Sequence, residues 1–179
     1  MSGHNKWSQI KRQKGATDAK KSKLFGKFAR LITSESKKSG GNTSAPALRA
    51  IIEKAKAANM PSDNIDRAIK KGLGNDAGEM EHITYEAYGP GGAALIIEAL
   101  TDSKNRAAAE VKHTLSKHGG VFAAIGAASW AFTKTSDGWE PNNELPLSQE
   151  DSGALEIIID ALEELDDVQE VFTNASFLE

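Results

Sequence analysis

The sequence contains no cysteine, which excludes disulfide bonds, thiolate nucleophiles and cysteine-based zinc or iron–sulfur sites. It also has no apolar run close to the roughly 18 residues that a transmembrane helix needs. The first residues are polar and basic, without the apolar core of a signal peptide. We therefore expect a soluble, cytoplasmic protein without a membrane partner.

The residue patterns of catalytic and metal sites are missing as well. His113 and His118 are the closest of the four histidines, and their spacing does not place them on one helical face for a metal ion. Tyr88–Gly92 lacks the Gly-Lys-Ser/Thr ending of a phosphate-binding loop and is typical of a hairpin turn. We predict a protein that is not an enzyme and uses no metal, cofactor or small-molecule substrate.

The net charge of −3 hides two blocks of opposite sign that meet near Gly74. Residues 1–74 carry 17 basic and 5 acidic side chains, whereas residues 75–179 carry 5 basic and 20 acidic ones. Self-repulsion within the first block is costly unless an anion offsets it. Nucleic-acid phosphates offset it and release their counterions, so the charge pattern predicts a nucleic-acid partner.

The first block is predicted to form a mobile basic arm, residues 1–15, followed by a basic three-helix domain, residues 16–74. The helices are expected from about Thr17 to Lys38 with a stop at Gly40-Gly41, from Pro46 to Ala58, and from a capping Ser62 to Gly72. Their apolar stripes are Leu24, Phe25, Phe28, Leu31 and Ile32; Leu48, Ile51, Ile52 and Ala55; and Ile65, Ala68 and Ile69. One shared core would bury all three stripes.

The second block is predicted to be an acidic α+β domain, residues 80–179, with the element order β-β-α-β-α-β. Alternation from Ile83 to Ala87 indicates one strand, and the apolar run 93–100 indicates a second. Then follow a helix over 103–118, a strand over 127–133, a turn-rich linker over 135–147, a helix that begins at Ser148, and a strand over 168–173. We expect an antiparallel-rich sheet with both helices on one face.

The predicted nucleic-acid contacts are basic residues of the arm and the helices, with one aromatic side chain. They are Lys6, Trp7, Lys11, Arg12, Lys14, Lys20, Lys23, Lys27, Arg30, Lys37, Lys38, Arg49, Lys54, Lys56, Lys70 and Lys71. On the first helix these cations lie in an arc separate from the apolar stripe, with Lys21 as the exception. Trp7 could stack on an unpaired base or anchor the arm on the helices. Plain solvation of the charge, an interfacial helix on anionic lipid, and docking of the basic block on the acidic one are the alternatives.

Four motifs resemble the YebC/PmpR family of regulatory proteins. They are Gly3-His4-Asn5-Lys6-Trp7 with Ile10-Lys11 and Lys14; Lys54 to Pro61 with Asp63-Asn64-Ile65; Tyr88 to Gly92; and Thr101-Asp102 with Asn105-Arg106. The segments Ile159 to Leu162 and Asp166 to Gln169 are also similar to the family's C-terminus. Asn5 stands where the family usually has serine.

The resemblance implies a cytoplasmic regulator of gene expression, either a DNA-binding transcriptional regulator or a ribosome-associated translational activator that acts through ribosomal RNA. It places nucleic-acid contact on Lys6, Trp7, Lys11, Lys14 and the lysines of the first helix. It gives residues 59–61 a ribosomal or a structural role. Typical members are longer and insert a third lobe before the last helix. Only the short linker 135–147 stands there, so we expect that lobe and any function it carries to be missing.

Overall fold

The computed structural model describes residues 18–177, which fold as two compact units. We call residues 18–81 the basic unit and residues 82–177 the acidic unit. The arm predicted at residues 1–15 lies outside the described residues. Within residues 18–177, no helix is both long enough and apolar enough to cross a membrane.

Three helices make up the basic unit: α1 (Asp18–Ser39), α2 (Pro46–Ala57) and α3 (Ser62–Leu73). Gly40 and Gly41 have positive φ, and the Gly41 N–H donates to the Ser36 carbonyl at 2.9 Å, so α1 ends where the sequence predicts. Pro46 occupies the first turn of α2, where its missing N–H leaves no helical bond unmade. Pro61, rather than Ser62, precedes the first turn of α3.

The apolar stripes of α2 and α3 meet α1 in one core, as predicted. Its buried side chains are Ile32, Leu48, Ile52, Ala55, Met60, Ile65 and Ala68, with Phe25, Phe28, Ile51 and Ile69 partly buried around them. The prediction for α1 is wrong at Leu24, which is exposed. Since α1 has 22 residues and α2 and α3 have 12 each, the shorter helices cannot cover its stripe along the whole length.

Helices α1 and α3 approach each other closely at Gly72. A Cβ atom at this position would lie 2.5 Å from the Thr33 carbonyl oxygen and 2.7 Å from the Ser36 Cβ. The hydroxyl of Thr33 donates to the Ala68 carbonyl at 3.1 Å, and that of Ser36 donates to the Ile69 carbonyl at 2.8 Å. Small residues and hydroxyl-to-backbone bonds therefore hold this crossing together.

A four-stranded sheet in the order β3-β1-β2-β7 forms the base of the acidic unit. The elements in chain order are β1 (Glu81–Tyr88), β2 (Ala94–Thr101), α4 (Lys104–Lys117), β3 (Val121–Ala123), β4 (Phe132–Thr135), β5 (Gly138–Pro141), β6 (Leu145–Pro146), α5 (Gln149–Glu163), β7 (Val168–Thr173) and β8 (Ala175–Ser176). Strand β3 runs antiparallel to β1, and β7 runs antiparallel to β2. The short 89–93 connection makes β1 and β2 a hairpin, which confirms the turn predicted there.

Both helices cover one face of this sheet. Val111 and Leu115 of α4 and Leu155 and Ile159 of α5 share one buried cluster with the inward side chains of β2. The opposite face carries a second cluster, in which Phe132 joins residues of β2 and β7. The predicted α+β architecture, with an antiparallel-rich sheet and its helices on one face, is confirmed.

Residues 121–147 depart from the sequence prediction. The strand that joins the sheet here is β3, and the segment predicted as a strand at 127–133 instead forms a 3₁₀ turn (Ser129–Ala131) followed by β4. β4 pairs with β5, and β6 pairs in parallel with β8, so the segment predicted as a linker contains short strands. Three or fewer residues per strand leave too little alternation to recognise β3 or β6 from sequence.

Glu86 is a buried carboxylate that organises the loop after β3. Its two oxygens accept the backbone N–H groups of Gly126 at 2.6 Å, Ala128 at 2.9 Å and Ser129 at 2.6 Å. Burial by itself would raise the pKa of Glu86, but these hydrogen bonds outweigh it and hold the pKa below its ordinary value. The carboxylate thus stays charged and replaces water for three N–H groups of an irregular loop.

Asp167 is a second buried carboxylate of the acidic unit. It accepts the Thr101 hydroxyl at 3.0 Å and an Arg106 guanidinium N–H at 2.9 Å, while Arg106 also bonds Asp102 at 2.8 Å. These bonds, first to Asp167 and then to Asp102, raise the pKa of Arg106. Burial, and then the charge of Asp167, raise the pKa of Tyr85. The Thr-Asp and Asn-Arg motif of the sequence is therefore part of a structural network that joins α4 to the start of β7.

Candidate nucleic-acid interface

The described residues include eleven of the predicted nucleic-acid contacts, all on the helices of the basic unit. They are Lys20, Lys23, Lys27, Arg30, Lys37 and Lys38 on α1, Arg49, Lys54 and Lys56 on α2, and Lys70 and Lys71 on α3. The other five, Lys6, Trp7, Lys11, Arg12 and Lys14, lie outside the described residues. The role of all sixteen in binding stays a prediction.

On α1 the cations differ in exposure. Lys20 is exposed, whereas Lys23, Lys27 and Arg30 are half-buried. A half-buried lysine can lay its stem along the helix and keep its ammonium group in water. Lys21, which the helical pattern placed on the apolar side, is exposed like its neighbour Leu24. The helical pattern left Lys21 out of the predicted contacts although it is exposed, because the pattern does not show where cover by the shorter helices stops.

Lys37, Lys38 and Arg49 have partners within the basic unit. The Lys37 ammonium group donates to the Ala77 carbonyl at 2.6 Å, which holds the segment after α3 against α1. Lys38 pairs with Glu35 at 2.7 Å, and Arg49 pairs with Glu53 at 3.0 Å. Exposed pairs of this kind contribute about 0.2–0.5 kcal/mol and are easily exchanged for a phosphate. Lys37 is different, because its loss would release a backbone segment.

Four lysines lie at the C-terminal ends of α2 and α3. Lys54 and Lys56 lie in the last turn of α2, and Lys70 and Lys71 lie in the last turn of α3. All four are exposed, and none has an ion pair within residues 18–177. Lysines at helix C-termini also gain about 0.3–1 kcal/mol from the helix dipole, which is the competing explanation of their position.

Between these two pairs of lysines, residues 59–61 form a tight corner. Asn59 has a φ of 63°, its N–H donates to the Lys56 carbonyl, and the Met60 N–H donates to the Ala55 carbonyl at 3.0 Å. This pair of bonds is a Schellman motif, with asparagine in the left-handed position and the next side chain buried. The Pro61 carbonyl then accepts the N–H groups of Asn64 and Ile65 in the first turn of α3. These contacts give the segment a structural role: it ends α2 and starts α3.

The arginines of α2 and α3, Arg49 and Arg67, have partners on their own helices. Arg49 pairs with Glu53, as described above, and Arg67 donates to the Asn64 side-chain oxygen at 2.6 Å and to the Asp63 carbonyl. Arginine is the side chain best suited to bidentate contact with guanine, whereas lysine contacts phosphate as a point charge. The exposed lysines thus offer attraction to phosphate without an evident means of reading bases.

Metal binding and catalysis by a buried acid would be the alternatives to a cationic surface. Within residues 18–177, no group of three or more His, Asp or Glu side chains is placed to hold a metal ion. The buried acids Glu86 and Asp167 have hydrogen-bond partners that account for them. The strongest candidate site among the described residues is therefore the cationic surface of the basic unit.

Comparisons with known proteins match nearly the whole chain. Residues 5–75 match the family described as TACO1/YebC protein N-terminal domain, and residues 80–137 and 133–175 match the TACO1/YebC second and third domain. A probable transcriptional regulatory protein of Rubrobacter xylanophilus is 52% identical over 137 residues, which are 75% of this chain and 55% of that protein. One of Desulfosudis oleivorans is 46% identical over 185 residues, covering 100% of this chain and 74% of that protein.

A solved structure shares the fold. A conserved hypothetical protein of Aquifex aeolicus superposes with a TM-score of 0.79 at 30% identity, over 90% of this chain and 93% of that one. The chain spans about half the length of several of the curated relatives that it matches.

Proposed function

The chain belongs to the TACO1/YebC family, and on this basis we propose that it regulates gene expression by binding nucleic acid through the basic unit. The relatives named above are called probable transcriptional regulatory proteins, which supports a DNA-binding transcriptional regulator. We further propose that it acts in the cytoplasm without catalysing a reaction, since the family names describe regulators.

The observation that carries this proposal is the exposed charge at the ends of α2 and α3. Lys54, Lys56, Lys70 and Lys71 are exposed and make no ion pair in the described residues. The helix dipole accounts for a cation at a helix end, but its effect is screened within one turn and by salt. Phosphate would offset this charge more fully, since each contact also releases counterions.

One observation favours the alternative, a translation factor that binds ribosomal RNA. The arginines of α2 and α3 pair with Glu53 and Asn64, whereas the cations of these helices that have no such partner within residues 18–177 are lysines, which contact phosphate as point charges. Structured RNA is recognised largely by shape and backbone contact. Lysine contact without base reading is enough for that target, whereas a transcriptional regulator must also discriminate between DNA sequences.

A salt series with two sets of charge reversals tests the proposed surface. One variant changes Lys54, Lys56, Lys70 and Lys71 to Glu, and the other changes Lys20, Lys23, Lys27 and Arg30 to Glu. For each lost phosphate contact, the slope of log affinity against log salt should decrease by about 0.9 on duplex DNA and about 0.7 on single strands. The matched control is Lys117→Glu, at the end of a helix of the acidic unit.

DNA and ribosomal RNA as targets are distinguished by sequence specificity on duplex DNA and by co-sedimentation with ribosomes. A transcriptional regulator should discriminate between duplex sequences at high salt, whereas a translation factor should co-sediment with ribosomes and show no sequence preference on DNA. If both sets of charge reversals leave affinity for DNA and RNA unchanged, the basic unit is not the binding surface. If Lys117→Glu abolished binding and neither set of charge reversals did, the binding site would lie on the acidic unit.

We also propose that the third lobe of longer relatives is absent here. From Lys134 the chain passes through β5 and β6 and reaches α5 at Gln149, without room for another folded lobe. The sheet and both of its helices are nevertheless complete. The acidic unit should therefore unfold in one cooperative transition, which denaturant titration followed by circular dichroism would check.

A further inference from the structure

The acidic unit exposes three large apolar side chains near one edge of its sheet. Val121 is 64% exposed, Ile125 is 96% exposed and Trp130 is 69% exposed. Tyr88 links two of them: Val121 lies opposite Tyr88 in the β1–β3 pair, and the Tyr88 hydroxyl accepts the Trp130 indole N–H at 3.1 Å. Ile125 lies in the loop between β3 and Trp130. Exposed apolar side chains that cluster, rather than scatter, mark interaction sites. We call these three side chains the apolar edge.

The apolar edge is held in place by hydrogen bonds. The Glu86 carboxylate fixes the backbone of the loop at Gly126, Ala128 and Ser129, and the Trp130 indole N–H also donates to the Ala127 carbonyl at 2.9 Å. A prearranged surface loses little conformational entropy when a partner binds. The buried Glu86 carboxylate thus holds the loop that carries the exposed Ile125 and Trp130 side chains.

Next to these side chains is an unpaired strand edge. β3 is the first strand in the sheet order, so no strand of the described residues pairs with its outer side. Such an edge accepts an extended segment as an additional strand, through backbone hydrogen bonds. Side chains of an added strand would alternate between the two faces of the sheet. One set would meet the apolar edge, and the other would meet the helix-covered face.

On the helix-covered face, α4 brings cationic side chains towards β3. Helix α4 packs against β3 and carries Lys112 and Lys117 in its second half, whereas Arg106 near its start is already paired with Asp102 and Asp167. The Lys112 ammonium group lies 4.9 Å from the centre of the Phe122 ring, directly at the strand. Glu110 is the one acid within α4. An acidic side chain facing this side would be attracted, and a basic one repelled.

We propose that the outer edge of β3 binds an extended protein segment in which apolar and acidic residues alternate. Its backbone extends the sheet, its apolar side chains cover Val121, Ile125 and Trp130, and its carboxylates face Lys112. This site goes beyond the binding of nucleic acid by the basic unit and does not depend on it.

The test uses the full chain and labelled peptides of about eight residues, the length of a typical strand. An alternating Val-Glu peptide should bind, as followed by fluorescence anisotropy, and an alternating Val-Lys peptide should not. Methylating the backbone nitrogens along one edge of the Val-Glu peptide should abolish binding, because those N–H groups are needed for strand addition. Binding should shift the indole N–H resonance of Trp130 in the NMR spectrum.

Variants locate the site. Lys112→Glu and Ile125→Asp should each weaken binding about tenfold or more. Ile157→Asp is the matched control, since Ile157 is an exposed apolar side chain of α5 in the same unit and should leave binding unchanged.

Four results would overturn the proposal. The first two are equal binding of the Val-Lys peptide and no binding of the Val-Glu peptide up to about 1 mM. The third is that a single-stranded oligonucleotide, and not the peptide, shifts the Trp130 resonance. The fourth is that the chain self-associates through this edge, so that Ile125→Asp abolishes the self-association. The charge reversals on α2 and α3 should leave peptide binding unchanged, so failure here is distinguishable from failure of the nucleic-acid proposal.

Discussion

The two units of the protein use their charged residues in opposite ways. In the acidic unit, Glu86 and Asp167 are buried and bind the backbone and side chains of neighbouring segments. In the basic unit, the buried polar contacts are hydroxyls such as Ser36 on backbone carbonyls, and the four lysines at the ends of α2 and α3 stay in solvent.

This difference shows which charges the fold needs. Removing a buried acid leaves N–H groups without an acceptor, whereas removing an exposed lysine at a helix end costs only a small dipole effect. The excess of cations in the basic unit is therefore not explained by its stability. A charge that folding does not require is a candidate for binding, and this is the physical case for an anionic partner.

Among these variants, Glu86→Ala should cause the largest loss of stability, and it tests directly whether the acidic unit needs its buried charge. Loss of three charge-assisted hydrogen bonds should lower the free energy of unfolding of the acidic unit by about 3 kcal/mol. Hydrogen exchange resolved by residue would measure it, with amides of the basic unit as an internal control. Unchanged exchange at 124–131 would show that the carboxylate does not hold this loop.

The same carboxylate should make the acidic unit sensitive to acid. Because the folded pKa of Glu86 is below its ordinary value, its contribution is complete above the unfolded pKa and is lost as the pH falls through the folded pKa. Denaturant midpoints measured from neutral pH to below about pH 4 should fall for the acidic unit. In Glu86→Gln the decline should be shallower, and an equal decline would assign it to other acids.

Gly72→Ala tests the close crossing in the basic unit. The added methyl group would meet the Thr33 carbonyl oxygen, and forcing the helices apart should cost about 2 kcal/mol. Gly26→Ala is the matched control, because Gly26 lies within α1 with no atom near its Cβ position. Without a clash it should gain about 1 kcal/mol in helix propensity. Thermal unfolding of both variants checks the contrast, and equal midpoints would contradict it.

Asn59→Ala should have a smaller effect on the same unit. At a φ of 63° the Cβ of either residue crowds the following carbonyl, but the short polar side chain of asparagine offsets this strain by local hydrogen bonding, so alanine should cost about 1 kcal/mol. Asn59→Gly should be close to the parent in unfolding free energy, because glycine adopts this angle without strain. If both variants lost the same stability, the asparagine side chain rather than its backbone angle would be responsible.

The smallest effect on stability is expected for the lysines themselves. Changing Lys54, Lys56, Lys70 and Lys71 to Ser should alter the unfolding free energy by less than about 1 kcal/mol in total at physiological salt, where the dipole term is screened. Lys37→Ser should cost more than any of them, because it releases the Ala77 carbonyl. Chemical denaturation measures both. A large loss of unfolding free energy in the fourfold variant would show that the basic unit needs these lysines for its stability.

The sequence predicts the fold well where local signals agree. Gly40-Gly41, the early Pro46 and the stripe of α5 mark helices that the structure confirms, and Ser148 caps α5 by accepting the Asp151 N–H. The sequence does not predict local structure that depends on contacts with residues far away in the chain. The 3₁₀ turn at Ser129–Ala131 depends on Glu86, more than 40 residues earlier in the chain, and no local pattern could indicate it.

The candidate interface was predictable to a similar degree. Helical spacing separates the cations of α1 from most of its apolar side chains, but it cannot show that Lys37 is bound to Ala77 or that Leu24 and Lys21 are exposed. Those facts follow from the relative lengths of the helices and from contacts distant in sequence. The structural role of Asn59 also needed backbone angles, although a proline two residues later marked the helix end.

The pairing of β2 with β7 has a consequence for synthesis of the chain. Leu95 lies opposite Thr173, so the central sheet cannot close until residue 173 has been made. The basic unit ends at Glu81. Contacts that are close in sequence form earlier and faster than those that close long loops. During translation the basic unit should thus fold first, while the sheet of the acidic unit still lacks its last strand.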